Sequence, residues 1–233
     1  MQNIPWRRVL RLAAIAAVGL IVLPYLLTPL YSFGRPVSTM MVWRWATFQR
    51  VERQWVPLER VAPVLARSVI VAEDGRFCTH SGVDFQELQE VLADAEGLED
   101  LGDLRGGSTI TQQLAKNLFL WQGRSYVRKA LEFPLALWVN LVLSKRRILE
   151  IYLNVAEWGP DGTFGIEASS RRAFGKPARS LGAQEAALLA AMLPNPVRRD
   201  AKKPGRGLRR LAGVYVARAR QAGGADDCLH LNP

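Results

Sequence analysis

At 233 residues the chain has room for one globular domain plus an anchor. A net charge of +10 and a pI near 10.2 point to an anionic partner, a nucleic acid or a lipid headgroup. Two cysteines and two histidines are too few for a disulfide scaffold or a Cys/His metal cluster.

Leu12 to Phe33 is uncharged and mostly apolar, long enough to cross a bilayer core of about 30 Å. Arg7, Arg8 and Arg11 precede it, and the positive-inside rule keeps them cytoplasmic. Residues 1–11 therefore read as a cytoplasmic N-terminus and residues 12–33 as an uncleaved signal anchor, kinked at Pro24 and Pro29. A cleavable signal peptide would have a shorter apolar core and a small-x-small site. Residues 34–56 form a juxtamembrane linker. Within it Met41, Trp45, Phe48 and Val51 make a helical stripe among Arg44, Arg50 and Arg53, suited equally to the membrane interface and to packing on the domain.

Apolar residues at Val61, Leu65, Val69 and Ala72 predict a helix, with Pro63 in its first turn and Gly75 as its stop. Glu73 then sits at the helix C-terminus beside Asp74. The dipole and the like charge both disfavour its ionisation, so its pKa is expected to be raised, which suits a general base. A solvated acidic pair at a helix end has the same spacing. His80 is expected to order its loop rather than to catalyse. The acidic stretch Asp94 to Asp103 is expected to be a solvated, mobile loop.

Gly106-Gly107-Ser108-Thr109 opens a second predicted helix. Ser108 or Thr109 can cap it, Thr109 and Gln112 have capping-box spacing, and Gln112, Gln113 and Lys116 lie one turn apart. A helix N-terminus attracts anions, so this edge suits a ligand with phosphate and sugar hydroxyls. It is not a Walker loop, because no Gly-Lys-Ser/Thr follows. The plain alternative is a capping turn before an amphipathic helix. Leu118-Phe119-Leu120-Trp121 would either dip into lipid or pack in the core.

Arg124, Arg128 and Glu132 share a helical face, with Lys129 one turn from Glu132. This is either a surface ion-pair ladder or a set of three cations holding one carboxylate ionised. Phe133 to Leu143 is too short to span a membrane and reads as a buried core helix, and Ala183 to Leu193 is a similar Ala/Leu helix ended by Pro194. Arg198 to Arg220 carries much of the excess charge. In an anchored protein its partner would be anionic lipid rather than nucleic acid, unless the segment is simply a solvated, fraying C-terminus. An oxidising compartment would permit a Cys78–Cys228 bond, and the sequence leaves open whether the two pair.

Glu73–Asp84 (EDxxFxxHxGxD), Gly106–Asn117 (GGSTxTQQLxKN), Arg128–Glu132 (RKxxE) and Lys145–Asn154 (KxxILExYLN) occur in that order. Gly165–Ser169, Phe174–Lys176, Glu185–Ala190 and Leu193–Pro196 follow. In these blocks, from about Pro57 to Pro196, the chain resembles the family-51 glycosyltransferases, the peptidoglycan polymerases. The resemblance implies a mainly α, lysozyme-like two-lobed glycosyltransferase domain over residues 57–197, behind an N-terminal transmembrane helix and before a basic C-terminal tail at 198–233. It implies that the domain lies on the periplasmic side of the inner membrane. It further implies polymerisation of lipid II, with lipid II and the nascent glycan-diphospholipid as partners and undecaprenyl diphosphate released. Glu73 matches the family's catalytic base. Glu132 matches its second essential glutamate, with a donor-side positioning role through cations or a divalent ion (Mg or Mn). Lys116, Arg124, Arg128 and Lys129, with the Ser108/Thr109 helix end, would receive the diphosphate. Thr109, Gln112, Gln113 and Asn117 would bind sugar or phosphate oxygens, and Asp74 and Phe77 are counted with the substrate-binding set. Other wall synthases are conceivable partners; nucleic acid is not. Without Ser-x-x-Lys or Lys-Thr-Gly, this looks like the monofunctional form. A lysozyme-like lytic enzyme and a non-catalytic membrane scaffold are the alternatives.

Overall fold

The structure is a computed structural model that describes residues 6–93, 107–123, 125–159 and 161–231. The predicted acidic loop at 94–103 and Arg124 lie outside the described residues.

Helix α1 (Trp6–Leu27) starts before the predicted span and takes Arg7, Arg8 and Arg11 into its first turns. Pro24 lies inside it, and the Thr28 hydroxyl donates to the Pro24 carbonyl at 2.7 Å as the chain tightens into a 3-10 turn, Thr28–Ser32. The stretch Trp6–Ser32 is long and apolar enough to cross a membrane, and its most apolar window is unburied. Its far end is docked. The Tyr25 carbonyl accepts from the Trp138 indole at 3.1 Å, Tyr31 stacks on Phe119, and Arg147 donates to the carbonyls of Tyr31 and Gly34.

Helix α2 (Thr39–Ala46) is capped by Ser38, whose hydroxyl accepts from the Met41 amide. The predicted stripe is divided between its two readings. Met41 is in the core and Val51 packs against it, whereas Trp45 and Phe48 face outward with Val42 and Trp43. The linker is then held to the body by a three-stranded sheet of order β1 (Glu52–Arg53), β3 (Thr163–Phe164), β2 (Glu157–Gly159), parallel between β1 and β3 and antiparallel between β3 and β2. Asn154 continues this attachment, accepting from the Val56 amide and donating to its carbonyl, each at 2.8 Å.

The body is helical, as expected: α3 (Pro63–Glu73), α4 (Phe85–Ala93), α5 (Ile110–Phe119), α6 (Tyr126–Val142), α7 (Lys145–Val155), α8 (Ile166–Phe174), α9 (Ala183–Met192) and α10 (Arg206–Gln221). Helix α9 is buried from Ala186 to Met192. Its alanines let α3 and α10 pack closely on it, while α5 packs on α6 and α7. Helix α6 differs from the buried core helix expected. Leu135, Ala136 and Val139 are buried, but Leu141 is exposed, so only one face meets the core.

The C-terminus departs from the tail expected. Among the described residues beyond 197, Leu208, Ala212, Tyr215 and Ala219 seat α10 on α9 and α3. Cys78 and Cys228 are bonded. The bond is one of several ties at that end. Arg67 grips Asp226 through two guanidinium nitrogens at 3.0 and 3.1 Å, and Arg146 donates to the Leu229 carbonyl at 2.6 Å. The cysteines are 150 residues apart, and the return of the C-terminal segment onto the domain brings them together.

Candidate active site

Helix α3 ends at Glu73, and Asp74 caps it in a non-helical conformation that sends its side chain inward. The Asp74 side chain is fully buried. Its Oδ2 accepts from the Ile110 amide at 2.9 Å, and both oxygens face Nε2 of His80 at 2.9 and 3.0 Å. Nδ1 of His80 accepts from the Gly82 amide at 3.1 Å, which places the imidazole proton on Nε2. His80 thus orders its loop. Gly82 has φ +96°, and a Cβ there would lie 2.6 Å from the Ala136 carbonyl, so only glycine lets the loop close on α6.

Thr109 caps α5. Its hydroxyl accepts from the Gln112 amide at 3.1 Å and donates to the Gly82 carbonyl at 2.6 Å, while the Gln112 side chain accepts from the Thr109 amide at 3.0 Å. Thr109 and Gln112 are therefore buried braces, not the ligand-binding groups expected from sequence. Phe77, also assigned to substrate, is 0% exposed and belongs to the hydrophobic core.

Oε2 of Glu73 accepts from Nε2 of Gln113 at 2.9 Å, and Oε1 is buried with no hydrogen-bond partner among the described residues. Burial raises the Glu73 pKa most. The Gln113 bond and the charges of Lys116 and Arg199 temper the rise, and Asp74 adds a little to it. The direction is the one expected, but desolvation is the main cause, not the dipole and neighbouring charge. Gln113 is itself oriented by the Tyr152 hydroxyl, which donates to its Oε1 at 3.0 Å.

Glu132 is buried on α6 and bonded to Arg128 at 2.5 Å and Lys129 at 2.8 Å. Lys129 also donates to the Ser108 hydroxyl at 2.8 Å. Burial lowers the Lys116 pKa. Glu132 opposes this, Arg128 and Lys129 reinforce it, and Glu73 opposes it again, so Lys116 lies within electrostatic reach of both glutamates. Both Glu132 oxygens are taken by cations, and among the described residues no group of three or more His, Cys, Asp or Glu could hold a metal ion.

Glu73, Arg76, Glu87, Ser108, Gln113 and Arg218 line a cavity of about 740 Å³. A second, of about 200 Å³, is lined by Lys116, Asn117, Gln122 and Tyr152, and meets the first at Gln113 and Pro194. A third, of about 520 Å³, is walled by Met40, Trp43, Phe119, Leu120 and Trp121, and adjoins the second at Met40 and Gln122. The hollows thus run from a carboxylate, past an ammonium, to an apolar trough rimmed by exposed indoles. Sequence reasoning missed Arg199, Arg218 and Tyr152. The arginines lay in a stretch read as tail, although Leu208, Leu211, Ala212 and Tyr215 carry helical spacing; Tyr152 lay inside a quoted block without a role.

The sequence matches the Transglycosylase family over residues 41–218. It is 63% identical over 216 residues to a biosynthetic peptidoglycan transglycosylase of Nitrobacter winogradskyi, covering 93% of this chain and 94% of the relative. To proteins of the same description it is 61% identical in Rhodopseudomonas palustris strain HaA2 (93% and 94% covered) and 53% in Brucella suis (96% and 99% covered).

Proposed function

The chain belongs to the peptidoglycan transglycosylase family, glycosyltransferases that polymerise glycan strands for the cell wall, and from that premise we propose that Glu73 takes the proton of the attacking hydroxyl while Lys116, Arg128 and Lys129 receive the departing diphosphate. The acceptor is lipid II, a disaccharide-pentapeptide on undecaprenyl diphosphate. The C4 hydroxyl of its N-acetylglucosamine attacks C1 of the donor's N-acetylmuramic acid. The bond from C1 to the α-linked diphosphate breaks, a β-1,4 bond forms with inversion, and the hydroxyl proton passes to Glu73.

The observation that carries this reading is the state of the Glu73 carboxylate. Gln113 fixes one oxygen of this cavity-lining residue and leaves the other buried without a hydrogen-bond partner among the described residues. A raised pKa makes that oxygen a stronger proton acceptor, and such assistance typically accelerates proton transfer by about 10²–10⁴-fold. A diphosphate is a weakly basic leaving group and needs charge stabilisation more than a proton. The cation cluster supports that role, each preorganised group contributing on the order of 10²–10³-fold by analogy with oxyanion-hole donors. Gln113 and Asn117 line the join between the hollows and would contact sugar oxygens. A lytic reaction would need a protonated acid and usually a second free carboxylate. Asp74 is bonded to Ile110 and His80, and Glu132 to two cations; Glu87 and Glu90 also line the cavity, so it is the cation cluster, which a sugar leaving group does not need, that favours transfer over lysis.

The setting follows from the same groups. Trp43, Trp45, Phe48 and Trp121 are exposed near the end of an apolar helix, which suits a membrane interface. The basic N-terminus favours the cytoplasm, and the Cys78–Cys228 bond favours an oxidising periplasm for the domain. The catalytic unit then starts near residue 57 and extends past 197, because α10 supplies a wall of the cavity through Arg218. The test is lipid II consumption by the purified full-length protein beside Glu73→Gln. Loss of polymerisation with lipid II binding retained is the expected result. A variant that polymerises at the wild-type rate would overturn the assignment.

A further inference from the structure

Lys145 begins α7 and the fourth sequence block, and the mechanism above makes no use of it. Its ammonium is buried without a hydrogen-bond partner among the described residues and sits 4.6 Å from the centroid of the Phe77 ring. An unpaired buried ammonium at the positive end of a helix is an unfavourable arrangement. Two features oppose the penalty: the face of the Phe77 ring and the charge of Asp74. Asp74 in turn bonds the first amide of α5 and the imidazole of His80, and it is the chain neighbour of Glu73. Three residues further along α5, Gln113 holds Glu73.

We propose that Lys145 is a positioning residue for glycosyl transfer: its ammonium, seated on the Phe77 ring, holds the Asp74 carboxylate on the Ile110 amide and His80, and so keeps the N-terminal end of α5, with Gln113, in register with Glu73. The proposal rests on the reading of Glu73 as the base. Burial brings the Lys145 pKa down to about 8 against the pull of Asp74, so this hold weakens within an accessible pH range. The charged or titratable groups around it are Asp74, with His80 bonded to that carboxylate, and Arg146 next along α7, which is turned to Glu59 and the Leu229 carbonyl. Lys116, across Glu73, also has a lowered pKa and must be separated from it.

The test uses the full-length protein in detergent with lipid II. Lys145→Met should lower kcat roughly 10–100-fold with KM within about twofold. Its melting temperature at pH 7.5 should be no lower than wild type, because a buried charge has been removed. Wild-type kcat should fall about tenfold per pH unit above about pH 8, without loss of stability. A lysine whose folded pKa lies below its unfolded value makes stability rise with pH between the two, so a merely structural role predicts no such divergence. Lys145→Arg should keep most of the activity and move the alkaline limb upward. The proposal is overturned by wild-type kcat in Lys145→Met, by a folded Lys145→Arg as slow as the methionine variant, or by an alkaline limb that Lys145→Arg leaves in place, which would assign it to Lys116. Glu73→Gln in the same assay separates the two readings. If it is inactive while Lys145→Met is normal, only this proposal fails; if it is active, the base assignment fails first.

Discussion

The Tyr152 hydroxyl donates to Oε1 of Gln113 at 3.0 Å, and that bond decides which way the Gln113 amide points. With its oxygen engaged, the amide presents Nε2 to Glu73 at 2.9 Å; reversed, it would set an oxygen against a carboxylate. Tyr152→Phe should therefore reduce kcat by roughly 2–10-fold, the equivalent of one hydrogen bond, with KM little changed. Gln113→Ala should act through pH. The Gln113 bond lowers a Glu73 pKa that burial has raised, so its loss should raise that pKa further and move the acidic limb of kcat to higher pH. A pH–rate profile with an unmoved limb would exclude the bond from control of the base.

Glu73→Gln should separate activity from stability. Because the folded-state pKa of Glu73 lies above its unfolded value, the fold binds its proton more tightly. Stability therefore falls as pH rises between the two values, and above the folded pKa the native state carries a buried, half-bonded carboxylate. The variant should melt higher than wild type at pH 8, with the gap closing as the pH drops through the folded pKa. Thermal melts across that range check the sign, and a lower melting temperature at pH 8 would mean that the carboxylate is not under strain.

Much of this site was legible in the sequence because its helices are locally encoded. Pro63 and Gly75 bracket α3, and the Thr109/Gln112 box starts α5, so Glu73, Gln113 and Lys116 could be placed on their elements from spacing alone. Spacing does not say which side of an element is buried. Phe77, Thr109 and Gln112 stand among the motif residues yet are buried, since a block of sequence holds its supports and its contacts alike. The contributions of Arg218 and the Cys78–Cys228 bond depend on α10 folding back onto α3 and α9, a contact between the two ends of the domain that no local pattern reports.

Lys116 sits between the two glutamates electrostatically, and its removal should affect binding as well as turnover. Lys116→Ala should weaken affinity for a diphosphate-lipid analogue by about tenfold or more and lower kcat on the order of 10²–10³-fold. It should also move the Glu73-dependent acidic limb upward, because the Lys116 charge lowers that pKa. Unchanged affinity for the analogue would remove Lys116 from the leaving-group site.

The Cys78–Cys228 bond joins the loop that follows Glu73 and Asp74 to the segment that follows α10, and α10 supplies Arg218 to the cavity of Glu73. A bond across 150 residues closes a long loop in the unfolded chain, and loss of a native bond commonly costs about 2–5 kcal/mol. For a domain of this size that corresponds to a fall in melting temperature on the order of 10 °C. Cys78→Ser/Cys228→Ser should match the wild-type protein melted in reductant, and reductant should leave the double variant unchanged. Arg67–Asp226 and the Arg146–Leu229 tie remain in both, so the segment should stay docked at low temperature and loosen first on heating. Activity should then fade at a lower temperature than global unfolding in the reduced enzyme, and the two should coincide in the oxidised one. If reduction moves neither, the bond does not hold α10 in place, and the apolar seat of α10 with the arginine ties accounts for the C-terminal wall of the site.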